Sequence, residues 1–283
     1  MFSQDTTTRE DRMENKTNGI LGAHLGLNDS RRAWHETARL TLGYLGLGVV
    51  CLAVPLLALP MRALLPRALS TRLGRRLAAA SARIYLGFLT MMGACRFDLA
   101  ALDALRAAPA MVIAPNHPSL LDAVMILSRL PGATCIIKAD LFNSVIFGAV
   151  ARLSAYIRNM PLRTMVQSAV ADLHHGSHVL LFPEGTRTTR FPIGRLQGTT
   201  GLIAKKAGVP VQTVFIETDS AFLGKGWPLL RTPPMPITYR IRLGKRFDAP
   251  SHSANFVGEL EQYFASELAH PQGRDAAVSG PPA

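Results

Sequence analysis

Between Glu36 and Asp98 the chain has no acidic residue, although eight arginines fall in that interval. Cysteine is almost as scarce: Cys51, Cys95 and Cys135 are far apart, odd in number and set among apolar neighbours. That pattern excludes a disulfide framework and a cysteine metal site, and it fits a reducing compartment. Aromatic residues make up 7% of the chain and are not interleaved with the arginines, so the stacking platforms of single-strand nucleic-acid binders are missing. There is no Gly-x-Ser-x-Gly elbow and no repeat of fixed period. Gly43, Gly46 and Gly48 lie inside an apolar run, outside any strand–turn–helix unit, so they are not a dinucleotide fingerprint. His174, His175 and His178 are interrupted by Gly176 and Ser177, which reads as solvated histidines ahead of a strand; no metal is expected.

The 283 residues carry a net charge of +12. Residues 1–30 are slightly acidic, which leaves 28 basic and 14 acidic residues, a net +14, on the rest. So basic a body calls for an anionic partner. Residues 1–30 are polar and without apolar period, and they read as a disordered tail. They lack the layout of a secretory signal, because the apolar segment starts too late and runs too long. Thr41 to Pro60 contains no charge and has the length of a membrane-crossing helix, with Pro55 and Pro60 leaving a re-entrant course open. Beyond it, Leu69, Leu73, Leu77, Ala80 and Ile84 recur at helical spacing with arginines on one flank, the pattern of a helix lying in an anionic lipid surface. We therefore expect a membrane-associated helical region over 31–96. The denser arginines after the apolar run place the body on the cytoplasmic side of the inner or plasma membrane.

From residue 97 to about 270, strand-like and helical runs alternate. Strands are expected at 111–114, 134–137, 178–182, 209–216 and 237–243, and helices at 120–130, 141–151, 164–174, 199–207 and 253–268. This predicts an α/β domain with a mostly parallel sheet flanked by helices and sites at the strand ends. A Pro-, Gly- and Ala-rich tail, 271–283, is expected to be disordered.

Two of those strand ends carry chemistry. After 111–114 comes Asn116-His117-Pro118-Ser119-Leu120-Leu121-Asp122. With Pro118 at a first helical position, His117 sits at the cap and Asp122 about one turn in. Asp122 is then placed to fix the imidazole tautomer and leave the other ring nitrogen as a general base; equally, the pair can be a helix cap and a carboxylate at the positive helix end. After 179–181 comes Phe182-Pro183-Glu184-Gly185-Thr186-Arg187. Gly185 permits close backbone approach, Thr186 offers a hydroxyl, and Arg187 offers a planar cation suited to phosphate. Glu184 either pairs with Arg187 or holds the loop in shape.

Together the two boxes resemble the glycerolipid acyltransferases, the family that includes 1-acyl-glycerol-3-phosphate acyltransferases, over roughly residues 85–245. Lys138 through Arg158 resembles that family's acceptor-binding block, and Gly208-Val209-Pro210-Val211 its Val-Pro strand. The chain departs from the pattern at Gln212, Thr213 and Arg195-Leu196-Gln197-Gly198, positions read as touching the acceptor side.

The resemblance implies transfer of a fatty acyl group from a thioester, acyl-CoA or acyl carrier protein, to a lysophospholipid hydroxyl, with no further cofactor. His117 is the implied base and Asp122 its partner, and backbone N–H groups at the following helix start are the expected oxyanion donors. Glu184, Gly185, Thr186, Arg187, Arg158 and Lys138 form the acceptor site, with the three cations on its phosphate. The first acceptor expected is 1-acyl-glycerol-3-phosphate, giving phosphatidate; a lyso-aminolipid without phosphate is the alternative. Expected partners are an anionic membrane surface, the lysolipid and the thioester donor, without nucleic acid. Two other classes stay open: a lipid hydrolase using Ser119 as nucleophile, and a non-enzymatic membrane tether.

Overall fold

The computed structural model describes residues 5–159, 161–190 and 192–269. Helices α1 (Asp5–Leu64) and α2 (Arg67–Met91) precede the sheet as a hairpin turned at Leu65 and Pro66. Small residues let the two helices approach: a Cβ on Gly46 would lie 2.6 Å from the Phe88 ring. The helix runs unbroken through Pro55 and Pro60. Its stretch Ala33–Leu64 is long and apolar enough to cross a membrane, with a mean hydropathy of 2.3 and only 17% of that window buried. The low burial separates it from a core helix. Leu42, Leu45, Val49, Leu52 and Leu56 form an exposed stripe along it.

Two expectations for this region change. The 1–30 segment, read as disordered from its polarity, has helical backbone from Asp5 onward; an established helix extends at one hydrogen bond per residue, without a new nucleus. Residues 1–4 lie outside the described residues, as does the expected 271–283 tail. Secondly, the arginines of α2 do not all face outward. Arg75 is buried, and its guanidinium donates to Asp172 Oδ2 at 2.8 Å, Ser177 Oγ at 2.9 Å and the Ser154 carbonyl at 2.9 Å. It thereby ties α2 to the chain at residues 154 and 172–177. Of the expected apolar stripe, Leu69 and Ile84 are exposed, while Leu73, Leu77 and Ala80 are half-buried.

The sheet has seven strands in the order β1-β7-β6-β2-β5-β3-β4. They are β1 (Cys95–Asp98), β2 (Val112–Pro115), β3 (Thr134–Ile137), β4 (Ile157–Arg158), β5 (Val179–Leu180), β6 (Val211–Thr218) and β7 (Ile237–Phe247). Every pairing is parallel except β6 with β7. Helices α3 (Asp122–Arg129), α4 (Ala139–Asn143), α5 (Val145–Leu153), α6 (Leu162–His174), α7 (Thr199–Ala207) and α8 (Ser253–Ala269) connect or follow the strands. Because side chains alternate along a strand, β2 divides its apolar residues between two cores. Met111 and Ile113 pack with Leu86, Leu89, Met125 and Ile126, while Val112 and Ala114 pack with Ala169, Ile203 and Phe264. Burial on both faces is what a near-continuous apolar strand requires.

The departures at Gln212 and Thr213 have a structural cause away from the acceptor side. The register of β6 against β7 shifts between Gln212 and Val214, and the chain bulges at Gly244. Gln212 Nε2 donates to the Gly244 carbonyl at 2.7 Å and Thr213 Oγ1 to the Lys245 carbonyl at 2.8 Å, satisfying acceptors that the bulge leaves out of the ladder. Both residues lie in the first half of β6, away from the edge where the two boxes emerge.

Candidate active site

Strands β2 and β5 are parallel neighbours, with Ile113 opposite Leu180, so the loops that follow them leave the same edge side by side. The first loop is anchored by Asn116. Its amide donates to the Ile216 carbonyl at 3.0 Å and accepts from the Ile216 N–H at 2.7 Å, pinning the end of β2 to β6. His117 follows and is held on four sides. Its N–H donates to Glu184 Oε1 at 3.3 Å, and its carbonyl accepts from the Thr188 N–H at 2.7 Å. Its ring stacks on Phe182 at 3.8 Å with 22° between planes, and Nδ1 lies 2.8 Å from Asp122 Oδ2. Nε2 has no partner among the described residues, and the side chain keeps 17% of its surface exposed.

Asp122 is fully buried. Oδ2 also accepts from the Ser119 N–H at 2.8 Å, whereas Oδ1 is buried without a hydrogen bond. Burial pushes the carboxyl up to about 6, against His117, which pulls it down. An ionised Asp122 makes Nδ1 the donor and puts the imidazole lone pair on Nε2, toward the open edge. The helix begins later than expected: Asp122 itself is the first residue of α3, and Pro118 to Leu121 form a turn. That turn does not supply oxyanion donors. The N–H groups of Ser119, Leu120, Leu121 and Asp122 go to Asp122 Oδ2, the Leu223 carbonyl, Ser119 Oγ and the Ser119 carbonyl.

Glu184 does not face an acceptor; its carboxylate turns inward, buried. It accepts from the His117 N–H, from Thr188 Oγ1 at 2.6 Å and from the Gly194 N–H at 2.9 Å. It has no ion pair with Arg187 and instead joins the two boxes. Gly185 has φ +65°, the left-handed region that favours glycine, and a Cβ there would displace the Gln197 amide. The departure at Arg195–Gly198 therefore does touch this loop, through Gln197. Thr186 is half-buried on the same loop. Arg187 is half-buried, and its Nη1 donates to the carbonyls of Leu223 and Gly224, both at 2.8 Å. The rest of its guanidinium has no partner among the described residues.

Lys138 and Arg158 stand on the same edge, at the ends of β3 and β4, where Ile137 pairs with Arg158. Both are exposed and without a partner among the described residues. At a strand spacing of about 4.8 Å, Lys138 is about 10 Å and Arg158 about 14 Å along the edge from β2. The sequence thus brings His117, Asp122 and the Gly185–Arg187 loop together, with the two cations farther out. Asn116, Thr188 and Phe182 were missed as positioning residues, although Asn116 and Phe182 stand within the two boxes and Thr188 directly follows the second.

Two other expectations are settled by contacts. Ser119 is 1% exposed, and its hydroxyl donates to the Phe222 carbonyl at 3.2 Å, so it is a structural residue here. His178, read as solvated, is buried at the start of β5 with Nε2 2.9 Å from the Leu105 carbonyl; burial lowers its pKa. His174 and His175 are exposed as expected.

Residues 96–217 match the family model described as Acyltransferase. Over 186 residues the chain is 22% identical to a 1-acyl-sn-glycerol-3-phosphate acyltransferase of Pseudomonas aeruginosa, covering 64% of this chain and 70% of that one. In fold it is similar to the crystal structure of the 1-acyl-sn-glycerophosphate acyltransferase PlsC of Thermotoga maritima, with a TM-score of 0.63 at 18% identity, over 83% of this chain and 96% of that one.

Proposed function

We propose, from the match of residues 96–217 to the Acyltransferase family model, that the chain is a glycerolipid O-acyltransferase that acylates a lysophospholipid at a membrane surface with His117 as general base. The acceptor favoured is 1-acyl-glycerol-3-phosphate, which matches the activity named for the Pseudomonas aeruginosa relative. The observation that carries the mechanism is the Nδ1 to Asp122 contact of 2.8 Å with Nε2 open on the strand-end edge.

Nε2 takes the proton of the acceptor hydroxyl as its oxygen attacks the thioester carbonyl. The C–O bond forms, the tetrahedral intermediate collapses with cleavage of the C–S bond, and the imidazolium returns its proton to the leaving thiolate. Asp122 stays ionised, orienting the ring and stabilising the imidazolium. No acyl-enzyme is required, in keeping with the buried, bonded Ser119. The N–H groups of Thr186 and Arg187, without partners among the described residues, are the donors best placed on this edge for the developing oxyanion. Lys138, Arg158 and the unengaged part of the Arg187 guanidinium hold the acceptor phosphate. The donor is an acyl thioester of coenzyme A or of acyl carrier protein. Helix α1 supplies the membrane attachment, with the body on the cytoplasmic, arginine-rich side.

A panel of lysolipids crossed with both donors, with products identified by mass, tests this reading. Phosphatidate formation at the highest kcat/KM, with a raised KM in Lys138→Ala and Arg158→Ala, is expected. Equal turnover of a lyso-aminolipid, indifferent to both substitutions, would shift the assignment to an acceptor without phosphate.

A further inference from the structure

The connection between β6 and β7, residues 219–236, starts on the catalytic edge and ends against the membrane helix. Its first half lies on the two boxes. The Phe222 carbonyl accepts from Ser119 Oγ, the Leu223 carbonyl from the Leu120 N–H at 3.2 Å, and the Leu223 and Gly224 carbonyls from Arg187. Its second half lies along α1. Tyr44 Oη donates to the Leu229 carbonyl at 2.7 Å, and the Met235 N–H donates to Glu36 Oε1 at 3.3 Å. The hydroxyls of Thr37 and Thr232 meet at 3.4 Å.

The tip between these halves is unlike a solvated loop. Leu229 is 59% exposed and Leu230 91% exposed, beside Trp227, whose ring has the Arg231 guanidinium 4.9 Å away. Two bare leucines, a tryptophan and a cation form the composition found where chains meet the lipid interface. The level also fits. Tyr44, to which the tip is bonded, lies three residues into the uncharged run that begins at Thr41, one turn past Arg39. The bare leucines therefore lie at the level where the uncharged run of α1 begins, at its polar boundary. Lys225 and Arg231, the charged residues of 221–236, are both basic and suit an anionic headgroup layer.

We propose that residues 227–231 are a second membrane contact, seated in an anionic phospholipid interface beside α1, which brings the lipid acceptor from the bilayer to His117 along the segment that Arg187 holds. This rests on the reading of α1 as the membrane attachment. Arg187 then acts as a positioning residue for this segment as well as a phosphate ligand.

The chain has two tryptophans, Trp34 and Trp227, so Trp34→Phe leaves Trp227 as the only reporter. The full chain is mixed with phosphatidylethanolamine/phosphatidylglycerol vesicles, with and without dibrominated acyl chains, and vesicle flotation is measured in parallel. Flotation with bromolipid quenching of Trp227 is expected. Flotation without quenching overturns the proposal and leaves the reading of α1 standing; absence of flotation overturns both. Protection of Trp227 from aqueous acrylamide in detergent that grows with protein concentration assigns the tip to a second copy, and overturns it too. As a functional arm, Leu229→Asp/Leu230→Asp still floats. Its KM for long-chain lysophosphatidate in vesicles rises about 100-fold, as withdrawing two leucines from an apolar phase would give. Transfer to a water-soluble short-chain lysophosphatidate without vesicles is unchanged, which also checks the fold. An unchanged KM in vesicles, or an equal loss on both acceptors, contradicts the proposal.

Discussion

Replacing Asp122 by Asn separates what the buried carboxylate does for catalysis from what it costs in stability. Asp122 is inaccessible to solvent, and its carboxyl is raised from 3.8 to about 6, chiefly by burial. The folded protein therefore binds this proton more tightly than the unfolded chain does. The associated stability is complete below pH 3.8 and is lost as pH rises through 6. Above that, the ionised group costs about 3 kcal/mol, of which about 1 kcal/mol develops between pH 5 and pH 7. Asn has no charge to bury, but an amide nitrogen in the place of Oδ2 leaves the Ser119 N–H without its acceptor. That amide would donate to His117 Nδ1, holding the proton on Nε2, the wrong tautomer for a base. Denaturant unfolding in detergent at pH 5, 6, 7 and 8, alongside acyl transfer, reads both effects. The difference in stability between Asp122→Asn and the parent should move in favour of Asn by about 1 kcal/mol from pH 5 to pH 7, while kcat falls about 10³- to 10⁴-fold. A stability difference independent of pH, or retained turnover, would refute this account of the pair.

Glu184→Ala removes the acceptor for the His117 N–H, Thr188 Oγ1 and the Gly194 N–H and should lower kcat about 10²-fold with little change in KM, as expected when a base is displaced by about 1 Å; steady-state kinetics checks it. Ser119→Ala should keep transfer within about tenfold of the parent and cost about 1 kcal/mol in denaturant unfolding, because its hydroxyl bonds a backbone carbonyl. Abolished activity would restore the nucleophile reading. Arg75→Ala should lower stability by about 2–4 kcal/mol, and Arg75→Lys should not restore it, since three acceptors need the guanidinium fork; melting in detergent micelles measures both.

Four of the expected strands are legible in sequence because burial on both faces leaves near-continuous apolar residues, and β7 because Ile237, Tyr239 and Ile241 alternate with more exposed residues. β1 and β4 are not. Cys-Arg-Phe-Asp and Ile-Arg carry charges at exposed positions, and they become strands by pairing with β7 and β3. The 141–151 run reads as one helix, but Ser144 divides α4 from α5. His117 and Asp122 are legible as a pair because they are five positions apart on one turn. Glu184 is not legible, since its partners, the His117 and Gly194 N–H groups, are set by how two loops meet. Gln212 and Thr213 mislead for a similar reason: the bulge they serve is made by Gly244 on another strand. Arg75 looks like its neighbours until Asp172, ninety-seven positions away, is folded beside it.

The central claim is that His117 Nε2 removes the acceptor proton. Single-turnover acyl transfer by His117→Ala, with vesicle binding measured on the same preparation, tests it most directly. Intact vesicle binding and transfer reduced by about 10³-fold or more are expected. Transfer by His117→Ala at the parent rate would contradict it.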